Sequence, residues 1–447
     1  IDANARNGGM WNETYDYVRL HQPHPMFTAG DIPWTIGKAP EYLADKREIL
    51  GHFEHCLKEL RTRVDLDEKF GWRYLSHRED EADHPVHIEC ESVGGDERLT
   101  INAKKCIKAV GFRIPEIPPL KFSSQHVHSL SPNGEDLFRG PIAASAAPIY
   151  VAGGGKTAMD TAYSLIRAYP SRPVHLFIGK GTLFTNRDSS FPTSWFKRWF
   201  LSNTPLEGFL EVAKRFNGEN VEEAVSYYRD NLAHCLNDEC RQFVFGVISK
   251  HENDTIKNGA ASITMDYIND VVDSDRGPFV ELRSGDTMKV KADSWFVNCT
   301  GYINKDQFDY EPYVSDKGNV VSVQPTSAIH FLTTYGGYFL SHLLYLDKIK
   351  STPLYELNFQ ELTERDKVAL PYVSIAHLLH NLGLLVQAVP TQVMLDCHLD
   401  FNRWFPMHRR LLAVNKLKKF SRDHPDHLRN TLDTARERFG IRCGPIV

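Results

Sequence analysis

The chain has eight cysteines but no Cys-x-x-Cys pair, and the closest two, Cys235 and Cys240, have no ligand set beside them. That pattern argues against a disulfide framework and a structural zinc site. Free thiols in a reducing, cytoplasmic compartment are the expectation. Charge of one sign is also lacking. A net charge of -5 excludes a strong general attraction to nucleic acid or to an anionic membrane. There is no long apolar run either. The longest stretch without Asp, Glu, Lys or Arg, residues 318–346, is broken by Gln324, Pro325, Ser327 and His330, so no bilayer-spanning helix is expected. Residues 1–20 carry charges throughout and no apolar segment of the secretory type. No nucleophilic triad or metal cluster stands out.

What remains is an ordinary globular composition over 447 residues, long enough for two or three domains. Residues 41–64 have helical spacing, with Leu43, Ile49, Phe53, Leu57 and Leu60 on one face. Short strands are predicted near 72–75, 86–91, 98–101 and 105–110. Pro115, Pro118 and Pro119 then mark an interdomain crossing. A second unit opens with the short buried strand 149–152, a glycine turn, a helix over 156–168 and a strand over 174–178. Residues 188–260 read as a mostly helical insertion whose aromatics, Phe191, Trp195, Trp199 and Phe200, suit a core or a cleft wall. Strands return near 262–267, 278–283, 287–291 and 292–298, and the chain beyond 351 reads as helical. The basic run from Arg409 to Lys419 reads as a solvated helix face.

The turn Val151-Ala-Gly-Gly-Gly-Lys-Thr-Ala-Met-Asp160 carries the chemistry. Gly153-x-Gly155-x-x-Ala158 has the spacing that dinucleotide sites need. The first glycine allows a tight turn, the second lets the backbone approach a pyrophosphate, and the small third residue lets helix and strand pack closely. The phosphates are expected at the start of the helix, near Lys156 and Thr157. A P-loop is excluded, because Tyr150 stands where its first glycine is required. The next strand ends Ile178-Gly179-Lys180, without the acid that an NAD ribose needs. Lys180 and Arg187 are placed to meet a 2′-phosphate, so NADPH is the expected nucleotide.

A second set of marks is more specific. Asp2 ends a strand, and Gly8, Gly9 and Trp11 follow it. Phe122-Ser-Ser-Gln-His-Val-His128 precedes the glycine turn. Ala109-Val-Gly111 and Cys299-Thr-Gly-Tyr302 lie where a chain would cross between domains. In order and spacing, over about residues 1–345, these segments resemble the flavin-containing monooxygenase-like family, the class B flavoprotein monooxygenases. Two departures stand in the Phe122–His128 segment: Ser124 replaces the family's glycine and Pro132 its later aromatic residue.

The resemblance implies an α/β fold with two Rossmann-like dinucleotide domains, the NADP domain inserted in the FAD domain. It implies an FAD domain over 1–120 and 293–350, an NADP domain over 140–292 with the 188–260 insertion, and a helical C-terminal region over 351–447. FAD would be held by Asp2, Arg6, Gly8, Gly9 and Trp11, with Arg19, His21 and Gln22 near its isoalloxazine ring. NADP would be held by Gly153, Gly155, Lys156, Thr157, Ala158, Lys180 and Arg187, with Thr300 and Gly301 at the crossing. The implied reaction is NADPH-dependent insertion of one oxygen atom from O2 into a small organic substrate at N, S or carbonyl, through a hydroperoxyflavin. An NADPH-dependent flavin reductase or oxidase and a non-catalytic NADP(H)-binding module remain open alternatives. A homo-oligomer is allowed. The family's FAD glycine turn would precede Asp2 by one βαβ unit, so the chain reads as starting inside the second strand of its first domain, or as a short form without that site.

Overall fold

In the computed structural model, which describes residues 1–110, 117–133, 137–301, 309–323, 333–397 and 401–446, the strand Ile149–Ala152 is buried at every position. Such unbroken burial belongs to a central parallel strand covered on both faces. It is the middle of a five-stranded sheet in the order 262–264, 174–177, 149–152, 295–298 and 128–130. All four pairings are parallel. Ile149 and Val151 face the helix Lys156–Ala168 and the main core. Tyr150 faces the other way, stacked between His175 at 4.6 Å and Phe296 at 4.8 Å. There it packs against the antiparallel sheet formed by 268–274, 277–282 and 287–289. The chain runs from the central strand to one side first (174–177) and reaches the other side last (295–298). The turn after Ala152 therefore sits at a topological switch point, where open α/β sheets bind ligands.

Trp295–Asn298 was expected in the first domain, but it pairs with Ile149–Ala152 and belongs to the nucleotide sheet. The insertion is helical over Pro205–Arg215, Val221–Leu232 and Lys250–Gly259. It also contributes strand Gln242–Ile248, parallel to Thr182–Asn186, and a short antiparallel piece, Ala233–His234. The C-terminal region is built around Leu370–Ala388, buried along most of its length against Pro205–Arg215 and His427–Phe439. No helix among the described residues is long and apolar enough to cross a membrane.

The N-terminal unit holds an antiparallel sheet of 72–79, 86–92 and 98–103, and the parallel pair 106–108 and 320–322. Its helix Lys46–Arg63 starts on a capping box between Asp45 and Glu48 and ends with Arg61 and Arg63 at its negative pole. Ile49, His52 and Cys56 form its buried stripe. Gly111, Pro115 and Tyr302, expected at the domain crossings, lie outside the described residues.

His52 stacks on Trp34 at 4.0 Å and is held down to about 4, by burial first and then by the charges of His55 and His24. The unfolded chain therefore takes up this proton at higher pH than the fold. The stability that neutral His52 contributes is present above about pH 6.5 and is lost as pH falls toward 4. The full loss is on the order of 3 kcal/mol. Denaturant melts at pH 7 and pH 4.5 should show a smaller stability difference for His52→Gln than for the parent. Equal differences would assign acid sensitivity elsewhere.

Candidate active site at the nucleotide turn

Each glycine of the turn answers a different spatial demand. Gly153 has φ +137°, and a Cβ there would fall 2.2 Å from the carbonyl oxygen of Cys299. A Cβ on Gly154 would fall 2.5 Å from the carbonyl oxygen of Ile178. These two let the turn nest between the ends of its two neighbouring strands. Gly155 is different, because nothing lies within 4 Å of its Cβ position. It is the N-cap of Lys156–Ala168 and gives that helix no side-chain cap. An open backbone at an uncapped helix N-terminus is a seat for a phosphate group. Ala158 is fully buried beneath it, and Thr157 is buried with its carbonyl accepting from Thr161. Thr300 and Gly301 are exposed at the end of the adjacent strand, and Thr300 donates to Asn298 Oδ1 at 2.7 Å.

The N-terminal unit touches this helix directly. Tyr15 donates its hydroxyl to Asp160 Oδ2 at 2.7 Å, and the Tyr17 hydroxyl meets Thr161 Oγ1 at 2.6 Å. Asp160 also pairs with Lys156. Each side chain is only 14% exposed, so Lys156, expected near the phosphates, is tied to its own helix. Arg187, expected at the 2′-phosphate, pairs with Glu252 and donates to the His21 carbonyl at 3.3 Å. Glu252 is held below the usual carboxylate range by Arg187 and Lys156, which outweigh its burial. His21 is pushed well below its ordinary value by burial and then by the charges of Lys156 and Arg187, so its imidazole is neutral at neutral pH. Lys180 stands exposed in the turn that follows strand Val174–Phe177.

A cavity of about 330 Å³ begins at His21 and Gln22. Its walls are largely apolar, with Phe191, Phe209, Leu232, Phe243, Phe245 and Val247 beside the polar Ser189, Asn203 and Asn231. Thr185 and Tyr228, whose hydroxyls meet at 2.6 Å, add a polar point. Phe245 is held at φ 58° in a bulge of its strand, a conformation that bulky residues rarely adopt. Gly246 beside it is required, because a Cβ there would meet the Phe184 ring at 2.8 Å. The insertion thus supplies most of the site, and of its aromatics expected in a core or a cleft wall Phe191 lines the cavity.

The remaining first-domain residues lie apart from this cavity. Asp2 accepts from the Asn4 amide at 2.8 Å and bridges to Phe70. Arg6 is exposed and donates to Asn12. Gly8 takes φ +107° against Leu50, and Gly9 opens the following turn. Trp11 packs in a small core edge-on to Phe27 at 5.6 Å. Arg19 is exposed over Tyr42 and donates to the Leu43 carbonyl. For NADP(H) the fit at the turn is good. For FAD it is partial, because no second Gly-x-Gly turn opens a helix among the described residues.

Tyr15, Tyr17, Asp160 and Glu252 were missed as site residues. Tyr15 and Tyr17 sit in a turn closed by the Val18 amide on the Tyr15 carbonyl, a weak signal. Their partners lie some 145 residues away, beyond what local patterning reads.

No protein-family model matches the chain, and no curated protein matches it. Among solved structures, an oxidized steroid monooxygenase bound to NADP is 12% identical, covering 94% of this chain and 92% of that one at a TM-score of 0.48. A cyclohexanone-bound cyclohexanone monooxygenase is 13% identical, covering 95% and 92% at 0.47. DfoA bound to FAD, a cadaverine monooxygenase from Erwinia amylovora, is 12% identical, covering 78% and 87% at 0.47. Likenesses this loose assign no chemistry, and the functional reading rests on the chain's own residues.

Gly155→Val should abolish NADPH binding, measured by calorimetric titration, because its side chain fills the one open place at the turn; undiminished affinity would mean the turn holds no nucleotide. Lys180→Ala should weaken NADPH over NADH by about 1–3 kcal/mol. Equal losses for the two nucleotides would show that Lys180 meets no 2′-phosphate.

Proposed function

We propose that this chain is an NADPH-dependent flavoprotein oxidoreductase, and within that class a monooxygenase acting on a small organic substrate with O2. The observation that carries the reading is the docking of residues 15–22 on the turn helix. Through Tyr15–Asp160 and Tyr17–Thr161, the segment expected beside a flavin ring is held against the expected NADPH site. His21 and Gln22 of the same segment line the cavity.

Each part then has a task. The Gly155 backbone and the helix start hold the pyrophosphate, and Lys180 meets the 2′-phosphate. The Lys156–Asp160 and Arg187–Glu252 pairs fix the charges around His21. His21 stays neutral and offers a hydrogen-bonding ring to whatever occupies the cavity end. The aromatic walls exclude water from the substrate. Bound FAD would supply the redox chemistry that no side chain here can, accepting hydride from NADPH and passing electrons to O2.

One observation favours the non-catalytic NADP(H)-binding module instead: Trp11 and Arg19 do not line the cavity. Purified full chain incubated with FAD decides between them. The monooxygenase reading expects tight flavin uptake, O2-dependent NADPH oxidation and one labelled oxygen atom in the product. NADPH binding without any flavin uptake would leave the binding module.

A further inference from the structure

The aromatics of the insertion were expected in a core or a cleft wall, and several are neither. Trp195, Phe196, Phe200 and Leu201 are 57%, 56%, 56% and 63% exposed. They lie on a short segment, residues 194–202, that includes a single wide helical turn, Lys197–Leu201. The helix Met407–Asp423 lies beside it. Arg409 donates to the carbonyls of Trp199 and Ser202, and the His408 ring meets Trp199 at 5.4 Å. That helix exposes Met407, Leu411 and Leu412 over its first turns. The two segments therefore expose their apolar side chains side by side, and a contiguous apolar patch of this kind marks an interaction surface.

Among the described residues the unpaired charges around this face are lysines. Lys197 interrupts the aromatic segment and is exposed. Lys418 and Lys419 are exposed two to three turns along the same helix from Met407 and Leu411. The acids near the face are taken: Glu207 is buried between Lys416 and Arg409, and Asp423 pairs with Arg422. Tryptophan and phenylalanine at the level of lipid headgroups, flanked by lysines, are the composition of a face that lies in a membrane interface. The chain's net charge of -5 hides this local excess.

We propose that the face made by residues 194–201 and 407–419 docks peripherally on an anionic lipid bilayer. The aromatics enter the headgroup region and the lysines meet lipid phosphates. No spanning segment is involved. The chemistry favours lipid over a protein partner, because an exposed tryptophan and two exposed phenylalanines stand among lysines with no acidic partner among the described residues, instead of among matched polar groups.

Sedimentation of the full chain with vesicles tests this. Binding should be strong to phosphatidylcholine vesicles containing phosphatidylglycerol, weak to phosphatidylcholine alone, and reduced by added salt. Trp195→Ser/Phe200→Ser should lower the partition coefficient at least tenfold. Lys418→Gln/Lys419→Gln should lower it by about fivefold per lysine. Both pairs are exposed, and unchanged circular dichroism and NADPH affinity will show that the fold is kept. No binding to anionic vesicles, or binding that both variants retain, would overturn the proposal. So would a concentration-dependent dimer that the same variants dissolve, which would make the face a contact between copies.

Discussion

Two tyrosine hydroxyls join the N-terminal unit to the nucleotide turn. Tyr15 reaches Asp160 and Tyr17 reaches Thr161, on adjacent residues of one helix. A hydrogen bond to a carboxylate contributes about 1.5–3 kcal/mol and a neutral one about 1 kcal/mol, so the docking is firm without being rigid. Its larger effect is electrostatic. Asp160, held by Tyr15, also holds Lys156, while Glu252 holds Arg187. Burial first, and then the positive charges of Lys156 and Arg187, keep the His21 imidazole between them uncharged.

The turn itself was legible in the sequence because its demands are local. Strand, three glycines and helix follow one another, and the structure places helix Lys156–Ala168 over the expected span. The strand 295–298 was legible as a strand but not as a member of this sheet, since its pairing with 149–152 crosses more than 140 residues. The same limit hid strand Gln242–Ile248, whose partner lies beyond three helices. Composition misled at Trp195 and Phe200: aromatic residues are usually buried, and nothing in the sequence showed that these lack a covering element. Trp11 went the other way, reading as a ligand contact and settling in a small core.

The insertion explains much of what distinguishes this chain. Its helices and the bulged strand at Phe245 wall the cavity, while the segment just after Phe191 turns its aromatics outward. Cavity and exposed face are thus neighbours along the chain.

Nucleotide bound at the turn should be felt by residues 15–22, through Tyr15–Asp160 and Tyr17–Thr161. Peptide-level hydrogen exchange of the full chain, with and without saturating NADP⁺, tests it most directly. The account predicts slower exchange both over 153–160 and over 15–22, and loss of the second effect in Tyr15→Phe/Tyr17→Phe. Protection confined to the turn, with residues 15–22 unchanged in the parent chain, would contradict it.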